Sequence, residues 1–183
     1  MTHAPLDDAP SVREARPQDR EAIAHLTRLA NSEYARVMEP SAWAALEQAI
    51  EASLGNDTGV TRLVAELDGT VVGSAALYAP DSAAYGSLAS ASAWPEVRLV
   101  AVAPSARGRG VARALVDECV RRARASGASV LGLHTSRSMR AAMRLYERMG
   151  FVRDPEHDFQ PPVAELVEGY LLRLDDHARD PEP

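Results

Sequence analysis

"LVAVAPSARGRGVARALV" runs from Leu99 to Val116. An apolar run ends at Pro104, an Arg-Gly-Arg-Gly turn follows, and an alanine-rich helical pattern begins at Val111. A strand that hands over to a helix in this way belongs to an α/β fold. The junction is also where an anion is expected. A helix start leaves its first backbone N–H groups without partners and carries partial positive charge. Gly108 and Gly110 allow close approach to the main chain, and Arg107 and Arg109 add charge-assisted hydrogen bonds. Pyrophosphate suits such a turn better than a carboxylate does.

The flanking patterns extend this layout. "SVREAR" reads as a short strand, and "PQDREAIAHLTRLANSEYA" as a helix with Ile23, Leu26, Leu29 and Ala30 on one face. "SAWAALEQAIEASLG" is a second helix, opened by Ser41 and stopped near Gly55. Two apolar, β-branched runs around Asp68-Gly69 make a hairpin. "PDSAAYGSLASAS" is a small-residue loop, and "PEVRLVAVA" a strand between prolines. After the Arg-Gly turn comes a helix with Val111, Leu115 and Cys119 on its apolar stripe, Ala112, Val116 and Val120 beside them. On its wet face Asp117–Arg121 and Glu118–Arg122 are spaced as acid-first pairs. "SVLGLHT" is the next strand. "SMRAAMRLYERMG" is a helix with Met139, Ala142, Met143, Tyr146 and Met149 on one face, and "FVRD" and "GYLLRL" close the sheet as a strand pair. Hairpins pair antiparallel and a strand–helix–strand crossover pairs parallel, so the sheet is mixed. One domain is expected over residues 11–174, with polar, proline-bearing tails at 1–10 and 175–183.

Composition removes several functions. The formal charge of −6 argues against a general nucleic-acid binder. All 20 basic residues are arginine, which excludes lysine Schiff-base chemistry and a Walker lysine. "GRGVAR" ends in Arg113 and fails the dinucleotide fingerprint as well. The histidines show no metal-ligand spacing, so no metal is expected. Cys119, the single cysteine, has no disulfide partner and reads as core packing. With no apolar leader after Met1 and no membrane-length apolar run, the expectation is a soluble, cytoplasmic protein with no membrane partner.

"RGRGVA", Arg107–Ala112, resembles the [QR]-x-x-G-x-[GA] signature of the GNAT family of N-acetyltransferases. "EVRLVAVAPSA" resembles that family's central strand and its exit, and "LYERMGF", Leu145–Phe151, the end of its late helix and the strand after it. Ala112 stands where many members have glycine; the pattern allows it. The order of elements matches too. The resemblance implies a GNAT-like α/β fold, a central mixed twisted sheet of six or seven strands flanked by about four helices. It implies acetyl-CoA as donor; the acceptor stays open among a small amine, an amino acid, an antibiotic and a protein N-terminus, with a small-molecule amine expected, no nucleic acid on grounds of charge, and a homodimer left open. Carried over, Leu99, Val100 and Val102 would pair with the pantetheine amides. The N–H groups of Gly108, Arg109, Gly110, Val111 and Ala112 would hold the pyrophosphate, with Arg107 beside them.

Acyl transfer to an amine needs a base for the ammonium and an acid for the departing thiolate. Glu96 is the candidate base. Strict alternation would put it on one face with Arg98, Val100 and Val102, on the strand that binds the donor. The plainer alternative is a structural ion pair with Arg98 or Arg16. Tyr146 is the candidate acid, on the apolar face of its helix in the family's "Y-x-x-x-G-F" setting; the alternative is a core tyrosine. His134 could line the cleft but reads more simply as a core or edge residue. For the acceptor, the matching segments hold Tyr34, Trp43, Tyr85, Trp94, His157 and Phe159, with the acids Glu33, Glu39, Asp81, Glu156 and Asp158. An acidic, aromatic rim suits a cationic amine. The competing function is an acyl-CoA-binding sensor or interaction module on the same fold, without turnover. The presence of both Glu96 and Tyr146 favours the enzyme.

Overall fold

The computed structural model describes residues 9–82, 92–162 and 165–174. The strands are β1 (Ser11–Glu14), β2 (Val60–Leu67), β3 (Thr70–Tyr78), β4 (Glu96–Val102), β5 (Val130–Ser136), β6 (Val152–Arg153) and β7 (Val167–Arg173). The α-helices are α1 (Arg20–Asn31), α2 (Pro40–Gly55), α3 (Val111–Ala125) and α4 (Arg140–Arg148). The strands form one seven-stranded sheet in the order β1-β2-β3-β4-β5-β7-β6. β4 and β5, joined by the α3 crossover, pair parallel; the other neighbours pair antiparallel. This is the expected mixed α/β sheet.

The sheet carries helices on both faces. On one, Leu63, Ala65, Ala75, Leu77, Val97, Leu131, Leu133 and Tyr170 pack with Val111, Leu115, Val116 and Cys119 of α3 and with Tyr146 of α4. On the other, the alternate residues Val64, Ala76 and Ala101 are buried where α1 packs across β3 and β4. Arg13 fixes the entry to α1: it donates to Asp19 in the 3₁₀ turn Pro17–Asp19 at 2.6 and 3.1 Å, and to Glu66 of β2 at 2.6 and 3.0 Å.

Four local readings change. α2 is opened by Pro40 with Glu39 as its N-cap, and Ser41 lies inside its first turn. In α1 the inward stripe is Ile23, Leu26 and Thr27; Leu29 is 41% exposed. Positions 23, 26 and 27 follow the helical period, whereas position 29 falls off that stripe, and the Thr27 hydroxyl satisfies itself on the Ile23 carbonyl at 2.8 Å. The expected Asp117–Arg121 pair does not form, because Arg121 turns to Glu118 at 2.6 Å and Asp117 takes Arg113 at 3.4 Å; Glu118–Arg122 forms at 2.8 Å. β4 does not alternate strictly. Ser74 pairs with Ala101 but Ala76 with Arg98, so β4 holds one extra residue there, and Leu99 sits at φ +52°. This bulge reverses the later half of the strand. Glu96 and Arg98 therefore face the α1 side, while Val100 and Val102 face the α3 side with Val97.

Candidate active site

The Arg-Gly turn opens α3 in the conformation its glycines permit. Gly108 and Gly110 have φ of +77° and +78°, and Gly110 is the N-cap. No side chain caps the helix, and a Cβ built at either glycine would meet nothing within 4 Å. The helix start is therefore open and positively polarised. Arg107 leans across it to Glu33 at 2.9 Å, which ties the turn to the 3₁₀ segment Ser32–Arg36 between α1 and α2. Val111 is buried in the core, so only its main chain is placed to face a ligand.

β4 and β5 share only two ladder positions, Glu96↔Gly132 and Val97↔Leu133. Beyond Val97 the strands separate. The β5-facing edge of Leu99–Val102 then has no strand beside it among the described residues. An opening of this kind offers main-chain pairing to an extended amide-bearing ligand, and it leads to the open start of α3. The strained, non-glycine backbone at Leu99 marks this point of divergence. The unpaired edge at the bulge offers main-chain donors and acceptors of the kind that pantetheine amides take, and the uncapped helix start offers N–H groups of the kind that a pyrophosphate takes.

Glu96 lies at the closed end of the splay and is 2% exposed. Its Oε1 accepts a hydrogen bond from the Ser92 hydroxyl at 2.7 Å, and His134 Nδ1 stands 3.4 Å from the same oxygen. Oε2 is buried and has no hydrogen-bond partner among the described residues. It pairs with neither Arg98 nor Arg16, as the structural alternative required. Arg98 stacks on Tyr78, 5.4 Å from the ring centre, and the Arg16 main-chain N–H bonds Asp19. A carboxylate that is buried with one idle oxygen is costly unless something cationic arrives.

The sheet face around Glu96 is roofed by a loop segment in place of a helix. The Trp94 indole sits against the main chain at Gly132, where a Cβ would collide with it. His157 packs edge-on to Trp94 at 4.8 Å, and Phe159 meets His134 at 5.3 Å. Arg153 holds this segment by two 2.8 Å bonds to Asp158, whose Oδ1 also accepts the Gly169 N–H. That guanidinium keeps the Asp158 carboxyl below its ordinary range.

Tyr146 occupies the opposite face. It is 7% exposed on α4, with Phe151 at 5.9 Å, and burial pushes its hydroxyl far above the ordinary phenol range, with Tyr34 and Cys119 adding to the effect. Glu96 and Tyr146 thus flank the sheet from its two sides, and β4 and β5 pair at only two positions. Cys119 is buried in the core, its thiol pushed up to about 12 by burial, which keeps it protonated and inert.

Of the expected acceptor residues, Trp94, His157 and Phe159 gather over Glu96. Tyr34 and Glu33 go instead to the Arg107 side, and Asp158 is spent on Arg153. Trp43 is half-buried on α2, and Glu39, Asp81 and Glu156 are exposed. Tyr85 lies outside the described residues. Sequence reasoning undervalued His134 and missed Ser92 and Gly132. Gly132 and His134 reach Glu96 through the parallel register, which local pattern does not specify, and Ser92 reaches it from four residues upstream in the segment that leads into β4. Among the described residues no group of His, Cys, Asp and Glu could hold a metal, and no helix is long and apolar enough to cross a membrane.

Residues 23–151 match the acetyltransferase (GNAT) family. The chain is similar to an IAA acetyltransferase of Azospirillum brasilense, 35% identical over 105 residues, which are 57% of this chain and 63% of that relative. It thus spans somewhat less than two thirds of the relative's length. A GNAT-family structure from Desulfovibrio desulfuricans superposes with a TM-score of 0.65 at 21% identity, covering 91% of this chain and 99% of that one. YncA from Salmonella typhimurium, solved with its cofactor acetyl-CoA, gives 0.60 at 22% identity over 93% and 97%. With the family matched across most of the chain and the sheet, splay and Arg-Gly turn in place, the protein belongs to the acetyltransferase (GNAT) family.

Proposed function

We propose that the protein transfers an acetyl group from acetyl-CoA to a primary amine by direct attack in a ternary complex, with Glu96 as general base and Tyr146 as general acid. The observation that carries this reading is the buried Glu96 carboxylate, whose Oε2 is left without a partner among the described residues beside the β4–β5 splay. Bound acetyl-CoA supplies the acyl group as an activated thioester. The main chain of Leu99, Val100 and Val102 holds the pantetheine amides. The N–H groups of Gly108–Ala112, with the Arg107 and Arg109 side chains, hold the pyrophosphate. Glu96 Oε2 receives the ammonium and accepts its proton. Tyr146 holds a proton on its phenolic oxygen for the departing sulfur; its raised pKa keeps that proton in place at neutral pH. Trp94, His157 and Phe159 wall the acceptor side, which suits a small amine carrying an apolar or aromatic group.

The test is release of free thiol from acetyl-CoA with a panel of primary amines, phenethylamine among them, and detection of the N-acetylated product by mass spectrometry. Turnover of at least one amine is expected. Tight acetyl-CoA binding with no turnover across a broad panel would replace the enzyme by an acyl-CoA-binding module.

A further inference from the structure

We propose that Glu96 and His134 form a single proton-holding unit, in which His134 is a positioning residue that sets when Glu96 is able to act as base. This rests on the base role assigned to Glu96 above. The argument begins with the other ring nitrogen. His134 Nε2 lies 2.9 Å from the His157 carbonyl oxygen, which only accepts, so Nε2 carries the hydrogen. In the neutral ring Nδ1 is then bare, and it is Nδ1 that stands 3.4 Å from Glu96 Oε1. Both side chains are enclosed, at 6% and 3% exposure. With Glu96 ionised and His134 neutral, two lone pairs face each other in a low-dielectric site. One added proton removes that conflict, because Nδ1–H then donates to the carboxylate. Two added protons would leave Nδ1–H facing a neutral carboxyl group. The site is built for one proton or none.

The surroundings support this assignment. From β4 come Glu96 and, on the same face, Arg98, which stacks on Tyr78 of β3. Ser92 donates to Glu96 Oε1 from the preceding segment. From the roof come His157, whose ring is paired with Asp154, and Asp158, which is neutralised by Arg153. The two salt-bridged acids are thus occupied. The His157 carbonyl is fixed by the same segment that Arg153 and Gly169 hold.

The proton balance is simple. An ammonium N–H bond breaks and its proton passes to the pair, which goes from one negative charge to neutral. The freed lone pair forms the bond to the acyl carbon. The carbon–sulfur bond then breaks, the departing sulfur takes the Tyr146 phenolic proton, and the second proton that nitrogen sheds replaces it on Tyr146. One proton remains on the pair, and it returns to solvent before the next turnover.

His134→Gln is the discriminating variant, since its amide still donates toward the His157 carbonyl but offers no imidazole nitrogen to Glu96. In an otherwise unchanged protein it should lower kcat/KM for phenethylamine, or for whichever panel amine turns over fastest, by about 10- to 100-fold near neutral pH. An ordinary imidazole holds its proton about 2 pH units above an ordinary glutamate. The acid limb of the rate should therefore move to lower pH by about 1 unit in the variant. In a Glu96→Gln background the same change should cost less than about 2-fold, because the unit is already broken. Equal losses in both backgrounds, or an unmoved acid limb, would make His134 a packing residue and overturn the proposal. Full activity of Glu96→Gln alone would instead remove the underlying base role. Ring-nitrogen NMR on the whole protein labelled at histidine needs no amine and covers variants that fold poorly. It should show neutral His134 with hydrogen on Nε2, gaining its second proton at lower pH in Glu96→Gln. Hydrogen on Nδ1 in the neutral ring, or a titration indifferent to Glu96, sinks the shared proton.

Discussion

Two side chains carry the proposed chemistry, and each has a substitution that separates chemistry from packing. Glu96→Gln keeps shape and burial but cannot accept a proton. Its kcat/KM should fall by about 10²-fold near neutral pH. The deficit should narrow toward about pH 10, where an ordinary alkylamine increasingly arrives already deprotonated. A ratio to the wild type that stays flat across that range removes Glu96 from the mechanism. Tyr146→Phe keeps the ring against Phe151 and removes only the hydroxyl. If that hydroxyl serves the departing sulfur, kcat should drop by about 10-fold or more while acetyl-CoA affinity and the thermal midpoint change little. Full kcat in this variant returns Tyr146 to the core. The sequence singles out both residues because each sits in a stretch that resembles a family motif, and the structure adds the burial of both side chains. The sequence does not single out His134. Its place beside Glu96 comes from the parallel pairing of Glu96 with Gly132, which brings β5 to the Glu96 carboxylate, and nothing local to "SVLGLHT" encodes that.

The elements themselves were easier to read than their irregularities. Val111–Ala125, the Asp68-Gly69 hairpin and the closing strand pair all follow from periodicity and turn residues. The β4 bulge left no such mark. Bulges and left-handed positions usually advertise themselves with glycine, and here Leu99 holds the positive φ. Strict alternation therefore assigned Val100 and Val102 to the wrong face. The start of α3 is the opposite case, with the left-handed positions occupied by the glycines that the sequence shows. Gly110→Val should weaken acetyl-CoA binding by about 10-fold or more, equivalent to about 1.4 kcal/mol. Gly110→Ala shares the cost of a side chain at φ +78°, about 1 kcal/mol of stability, with much less bulk over the turn. Comparing the two by calorimetry separates backbone strain from blocked access. An unchanged affinity in folded Gly110→Val would displace the pyrophosphate from this turn.

Across the whole molecule, the sheet is a wedge whose two halves touch at two ladder positions and are otherwise joined by α3 and its core. That arrangement opens the cleft, and it makes the remaining tertiary anchors matter more. One polar anchor lies at the β1–β2 side of the sheet, where Arg13 joins β1 and β2 to the turn before α1 through Asp19 and Glu66. The hydrogen bonds from Arg13, together with the Arg16 main-chain N–H at 2.6 Å, hold the Asp19 carboxyl at about 2, down from 3.8. A carboxyl depressed on folding stabilises the native state above its unfolded value, and that contribution is lost as pH falls. The window here runs from about pH 4 down through about pH 2. Asp19→Asn should therefore cost about 1–2 kcal/mol at neutral pH, allowing for solvent screening of a network that is partly exposed at Arg13 and Glu66. Urea unfolding at neutral pH and again near pH 2.5 measures it. The wild-type advantage should shrink at the lower pH, since unfolded Asp19 is then almost wholly protonated and most of the window between its unfolded and native values has been crossed, while the native carboxyl is still partly ionised. An advantage that persists unchanged would show that Asp19 acts through its shape and its bond to the Arg16 N–H, with its charge contributing nothing.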